Sequence, residues 1–275
     1  MKRYIGRTAK AFLAAVIMTA AVPSSSVAAP ILYTDAGADV ASIQDTVDVF
    51  RSDLGGSNNA NDPGPLAGGR REINWDGGGS SATSTAASPL AVFQNTRGAL
   101  FTTPGTDFVQ APPDGIATTF LNPSYSAFTT FSPLRLFSPV GSNITDATFT
   151  IPGSPSTPAF VTGFGVVFSD VDVLGSATLE FFDLSDNSLG AFSAPAFDGG
   201  LSFLGVIFNA GESIGRVRIT SGNVAPGPDD SMTADVVMMD DFIYSEPQQV
   251  IPEPATLLLF SAGLAAVGVL RRRRA

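Results

Sequence analysis

The chain has 275 residues, 15 basic and 25 acidic side chains, 28 glycines, 20 prolines, and neither cysteine nor histidine. Without Cys and His there is no thiol or imidazole nucleophile, no Ser-His-Asp triad, and no zinc or copper site of the usual ligands. The basic residues sit at the ends: four in the first ten positions and four in the last five, leaving seven arginines against 24 acids between residues 29 and 249. That middle segment is long enough for a substantial core without disulfides, and its field disfavours nucleic acid.

Residues 1–28 have the grammar of a secretory signal peptide. Lys2, Arg3, Arg7 and Lys10 form a positive start, 11–22 is a short apolar run, and Pro23 breaks it before small residues. Ser26-Val27-Ala28 places small side chains at −3 and −1, so cleavage is expected after Ala28; a cut after Ala29 would put Pro30 beyond the scissile bond.

In the exported part, residues 42–54 predict a helix, with a strand over Val47-Asp48-Val49-Phe50 as the alternative. Ile43, Val47, Phe50 and Leu54 recur at helical spacing, Ser42 is a candidate cap, and Gly55-Gly56 can end it. A Gly/Asn/Pro-rich loop follows over 57–69. Next come Arg70-Arg71-Glu72-Ile73-Asn74-Trp75-Asp76-Gly77, with the single tryptophan ahead of a turn signal. Two readings are open: Trp75 with Arg71 and Asn74 stacks on and hydrogen-bonds a sugar, or Trp75 plugs a β-sandwich while Arg71 pairs with Glu72 or Asp76. Together with Arg97-Gly98-Ala99 and Thr103-Pro104-Gly105, the run resembles one found in exported bacterial proteins without an assigned activity. Residues 78–88 read as a small polar loop, and 93–137 as short extended pieces.

From residue 147 the alternation is regular. Strands are expected over 148–151, 160–168, 178–183, 189–193, 202–208, 216–220 and 236–244, separated by Pro-, Gly- or Asn-containing turns. The fold class is all-β, an antiparallel β-sandwich over 147–246 preceded by one helix, loops and short strands over 29–146. Gly163-Phe164-Gly165, Phe181-Phe182-Asp183 and Met239-Asp240-Asp241-Phe242 resemble a jelly roll of the carbohydrate-binding kind. That resemblance implies a structural calcium, for which Asp170 and Asp172, sharing a strand face, with Asp240 or Asp241, are the candidate ligands. Solvated turn carboxylates are the alternative. Asn143-Ile144-Thr145 matches a glycosylation sequon by pattern alone.

The last segment, 247–275, has three parts in fixed order. Pro252-Glu253-Pro254 is stiff and extended, 255–270 is an apolar run carrying only Thr256 and Ser261 as polar side chains, and Arg271, Arg272, Arg273 and Arg274 form a cytoplasmic stop. This trio resembles the PEP-CTERM sorting signal of Gram-negative bacteria, a signature related to one that ends some ice-binding proteins. The resemblance implies a transmembrane helix that anchors the precursor in the inner membrane. It also implies an exosortase-type enzyme that recognises Pro252, Glu253 and Pro254, and release to the cell surface or an exopolysaccharide matrix. The expected function is that of a non-catalytic surface or matrix protein. A lectin-like module comes next, and a polysaccharide-acting enzyme using two carboxylates last.

Overall fold

Alternating strands and one amphipathic helix become two stacked antiparallel sheets with helices on one outer face. The computed structural model describes residues 29–77, 79–228 and 233–249. The expected signal peptide, cleavage site and C-terminal helix lie outside them, and no helix among the described residues is long and apolar enough to cross a membrane.

The chain opens with β1 (Ile31–Gly37), α1 (Val40–Asp53), β2 (Arg70–Ile73), β3 (Ser84–Ala87) and the single-turn α2 (Gln94–Arg97). It continues through β4 (Ala99–Thr102), β5 (Asp107–Ala111), α3 (Pro113–Phe120), a 3-10 turn (Pro123–Ala127) and β6 (Leu136–Val140). Then follow β7 (Ile144–Ile151), β8 (Ser154–Phe160), β9 (Gly163–Val171), β10 (Thr178–Asp183) and β11 (Ser188–Ser193). The described chain closes with β12 (Phe197–Ile207), β13 (Ile214–Thr220), β14 (Met238–Ser245) and β15 (Gln248–Gln249).

One sheet has eight strands in the order β1-β12-β9-β14-β6-β5-β3, with β2 also on β14. The other has seven, β11-β10-β13-β7-β8-β15, with β4 also on β7. The expected antiparallel β-sandwich is borne out by this two-sheet plan, which does not by itself make it a jelly roll. Strands from 29–146 and from 147–249 share both sheets, so the sandwich does not begin at residue 147 as expected.

Phe164, Val166 and Phe168 of β9, Leu204 and Val206 of β12 and Phe242 of β14 face Phe149, Leu179, Phe181, Val217 and Ile219 of the other sheet across the main core. In β13 the expected alternation holds: Val217 and Ile219 point in, Arg216, Arg218 and Thr220 out.

The eight-stranded sheet is covered on its outer face as well. Ile43, Val47 and Phe50 of α1 pack on Val167, Phe203 and Ile243, while Ile116 and Phe120 of α3 join Val109, Leu136 and Met238. Burial on both faces explains why β14 is buried along its whole length rather than alternately. The helix cap is a correction: α1 starts at Val40 and its cap is Asp39, not Ser42; the Asp39 carboxylate accepts the Ser42 N–H at 3.1 Å and the Ser42 hydroxyl at 2.9 Å. Neither α3 nor β3 was expected. Gly115 and the Thr118-Thr119 pair weaken the helical signal that Pro113 at the first turn and Ile116/Phe120 at i, i+4 otherwise carry.

Phe50 docks where two strands lack side chains. Gly165 and Gly205 are register partners, and a Cβ on either would lie 2.8 Å from the Phe50 ring. Gly205→Val is therefore expected to cost about 1–3 kcal/mol by overpacking. The loss should shrink when Phe50 is replaced by Ala, since the ring it clashes with is gone. Urea unfolding of the two backgrounds checks this, and an unchanged midpoint for the valine variant would refute the close packing.

Candidate functional site

The Arg-Trp segment is built into the sandwich. Trp75 is 1 % exposed; its ring stacks on Phe137 at 3.7 Å and 5°, with Phe93 and Phe242 edge-on at 5.4 and 4.9 Å. Its indole N–H donates to the Asp240 carbonyl at 2.9 Å. No ring face is left for a ligand, so of the two open readings the core plug holds and the stacking role is corrected; the backbone at this residue is left-handed, φ 62°.

Arg71 is likewise withdrawn from ligands. Its guanidinium grips both oxygens of Glu246 at 2.6 and 2.7 Å and donates to the carbonyls of Ala60 and Asp62. The expected partners Glu72 and Asp76 are bound elsewhere. Glu72 meets Arg51 and Arg70, and Asp76 accepts from the Leu134 and Arg135 amides. Neighbours in a strand point to opposite faces, which rules out an Arg71–Glu72 pair. Of the three expected ligand contacts, Asn74 is exposed, its amide donating to Asp76.

The carboxylates form two separate groups. Asp240 and Asp241 lie where the β14–β9 register shifts, between Met239 and Phe242. Asp240 accepts the Phe131 N–H at 2.7 Å and the Ser132 hydroxyl at 3.1 Å. Asp241 accepts the same hydroxyl at 2.7 Å and pairs with Arg51 at 3.2 Å. Burial and then the neighbouring Asp241 charge hold Asp240 well above the usual carboxylate range, and burial raises Asp241 to about 6.

The second group is Asp170, Asp172 and Asp198, with oxygens all within 4.8 Å of one another. They line a cleft of about 480 Å³ with Ser124, Tyr125 and Gly199. Asp170, next to last in β9, has φ 67° and accepts the Gly199 N–H at 2.7 Å. Asp235 stands close behind, accepting from the Val173 amide and the Ser176 hydroxyl. The expected ligand set is thereby corrected: Asp198, brought in by the irregular β12 pairing between Phe197 and Leu201, joins Asp170 and Asp172, and Asp240 and Asp241 do not. Three carboxylates at this spacing fit a hard divalent cation such as calcium, which prefers oxygen donors. Sequence spacing could not reveal Asp198 or Asp235, because both arrive through tertiary folding.

Burial, then Asp170, Asp235 and Asp198, raise Asp172 to about 6, and burial raises Asp170 too. A carboxyl whose pKa is raised on folding takes up protons in the folded state first. Its penalty is therefore full above the folded value and fades as pH falls through about 6 towards the unfolded value. The thermal midpoint at constant ionic strength is expected to rise on going from about pH 7.5 to about pH 5, and Asp172→Asn with Asp241→Asn should remove part of that rise. A midpoint that falls over this range would contradict the repulsive clusters.

Comparison with known proteins adds one finding beyond the described residues. No curated protein and no solved structure matches the chain. Residues 250–274 match the family described as the PEP-CTERM protein-sorting motif, over Pro252-Glu253-Pro254, the apolar run and the arginines. The chain is an all-β protein that ends in a PEP-CTERM protein-sorting motif.

Proposed function

We propose that this is an exported, non-catalytic protein of the cell surface or exopolysaccharide matrix, delivered there by its sorting motif. The carrying observation is the motif at 250–274. In this reading 255–270 holds the precursor in the inner membrane, with Arg271–Arg274 on the cytoplasmic side. An exosortase-type enzyme then acts at Pro252, Glu253 and Pro254. The position of the last strand supports the separation of domain and tail. Gln248 and Gln249 pair with β8, and Glu246 caps the buried Arg71, so the described domain is held together up to the residue before the motif.

A non-catalytic role is favoured by the composition and by the state of the carboxylates. With neither His nor Cys, chemistry would fall to Asp and Glu, and Glu72, Glu246 and Asp241 are each paired with arginine. A lectin-like role by aromatic stacking loses its support with Trp75 buried.

The test is fractionation in a host that carries the sorting enzyme. Glu253→Ala and Pro254→Ala are expected to leave the full chain in the membrane fraction while the parent is released. External protease on the parent precursor should digest the sandwich and spare the arginine tail. Unchanged release of both variants, or a sandwich protected from external protease, would overturn the reading.

A further inference from the structure

Six chain segments meet at a second, smaller pocket beside the C-terminal end of α1, with a volume of about 330 Å³. Its walls carry Asn58, Asn74, Arg97 and Ser132 together with the Arg51–Glu72–Asp241 ion-pair group, and no apolar side chain lines it. Its size is that of a single sugar ring rather than an oligomer, at the low end of ligand pockets.

Two arginines and two carboxylates line it, and their direct pairing is uneven. Arg51 is shared among Asp48, Glu72 and Asp241, and Arg70 adds a second contact to Glu72. Arg97 has no carboxylate partner among the described residues. Its Nε donates to the Asn61 side-chain oxygen at 2.7 Å and one terminal nitrogen donates to the Glu72 carbonyl, leaving the other terminal nitrogen without an acceptor among the described residues. Burial pulls its pKa below the usual guanidinium value. In a domain with 24 acids for seven arginines, a half-buried arginine that forms no direct ion pair among the described residues keeps donor capacity for an anionic ligand, even with Glu72 and Asp241 in the same wall.

The remaining groups point to hydroxyls. Asn58 uses its oxygen on the Ala60 amide and Asn74 its nitrogen on Asp76, so each keeps one end of its side-chain amide uncommitted. Glu72 and Asp241 have lone pairs beyond those used by arginine. We infer that this pocket binds one hydroxyl-rich carboxylate, a hexuronate-type sugar acid, with its carboxylate on Arg97 and its hydroxyls on Asn58, Asn74, Glu72 and Asp241. The inference rests on the pocket and not on the sorting motif, and it replaces stacking on Trp75 with charge-assisted hydrogen bonding.

The test is calorimetric titration of the purified full chain with glucuronate, glucose and sulfate at equal ionic strength. Glucuronate is expected to bind saturably, with glucose and sulfate each weaker by about tenfold or more. Arg97→Gln should weaken glucuronate about tenfold with its thermal midpoint kept. Should that variant unfold, Arg97→Lys carries the test: it retains the charge, loses the two-pronged geometry and should bind measurably less tightly than the parent. Equal affinity for glucose would make the site a neutral polyol site, equal affinity for sulfate a simple anion site. Either result, absence of glucuronate binding, or parent-level affinity in the Arg97 variants overturns the inference.

Discussion

The buried ion pair between Arg71 and Glu246 is the constraint from which the rest of the arrangement follows. Both side chains are withdrawn from water, 0 % and 1 % exposed, and a guanidinium can be left there only if its donors are met. They are met by two carboxylate oxygens and by the carbonyls of Ala60 and Asp62. Glu246 in turn receives the Asn59 amide and the Leu66 N–H. One pair thus binds β2 to the segment after β14 and pins the 57–69 loop, a stretch with no regular structure of its own. With β2 fixed, Ile73 and Trp75 enter the core, and Glu72 on the opposite face is presented to Arg51.

The second organising fact is that one sheet is buried on both faces. Phe50 on Gly165 and Gly205 couples α1 to the sheet, while Phe164 and Val166 fill the space between sheets. The two outer-face clusters leave the polar surface mainly on the seven-stranded sheet, where Asp146 bridges Arg216 and Arg218. An acidic chain without disulfides can fold this way because its apolar burial is large. Its carboxylates gather at strand ends and bulges, where backbone amides or arginines receive them.

What could be read in the sequence follows from how local each signal is. Residues 216–220 and 178–183 alternate because only one face is buried, and they emerged where expected. The C-terminal motif was legible for the same reason, since its three parts are contiguous. By contrast, β1 has just Tyr33 and Gly37 buried, so no clear period marks it. Partner choice was least legible. Arg71 finds an acid 175 positions away, and Asp198 reaches Asp170 and Asp172 through an irregular strand pairing. The tryptophan was visible as an anchor, and its place two residues after Ile73 puts it on the buried face, but its partners Phe137 and Phe242 arrive only through tertiary folding.

The central claim, that the Arg71–Glu246 pair holds this framework together, is most directly tested by a double-mutant cycle in chemical denaturation. Arg71→Met and Glu246→Leu are each predicted to destabilise by about 3–5 kcal/mol, because each strands a buried charge. The double variant is predicted to lose much less than the sum, since both charges leave together. Single variants that cost under about 1 kcal/mol, or losses that simply add, would contradict the account.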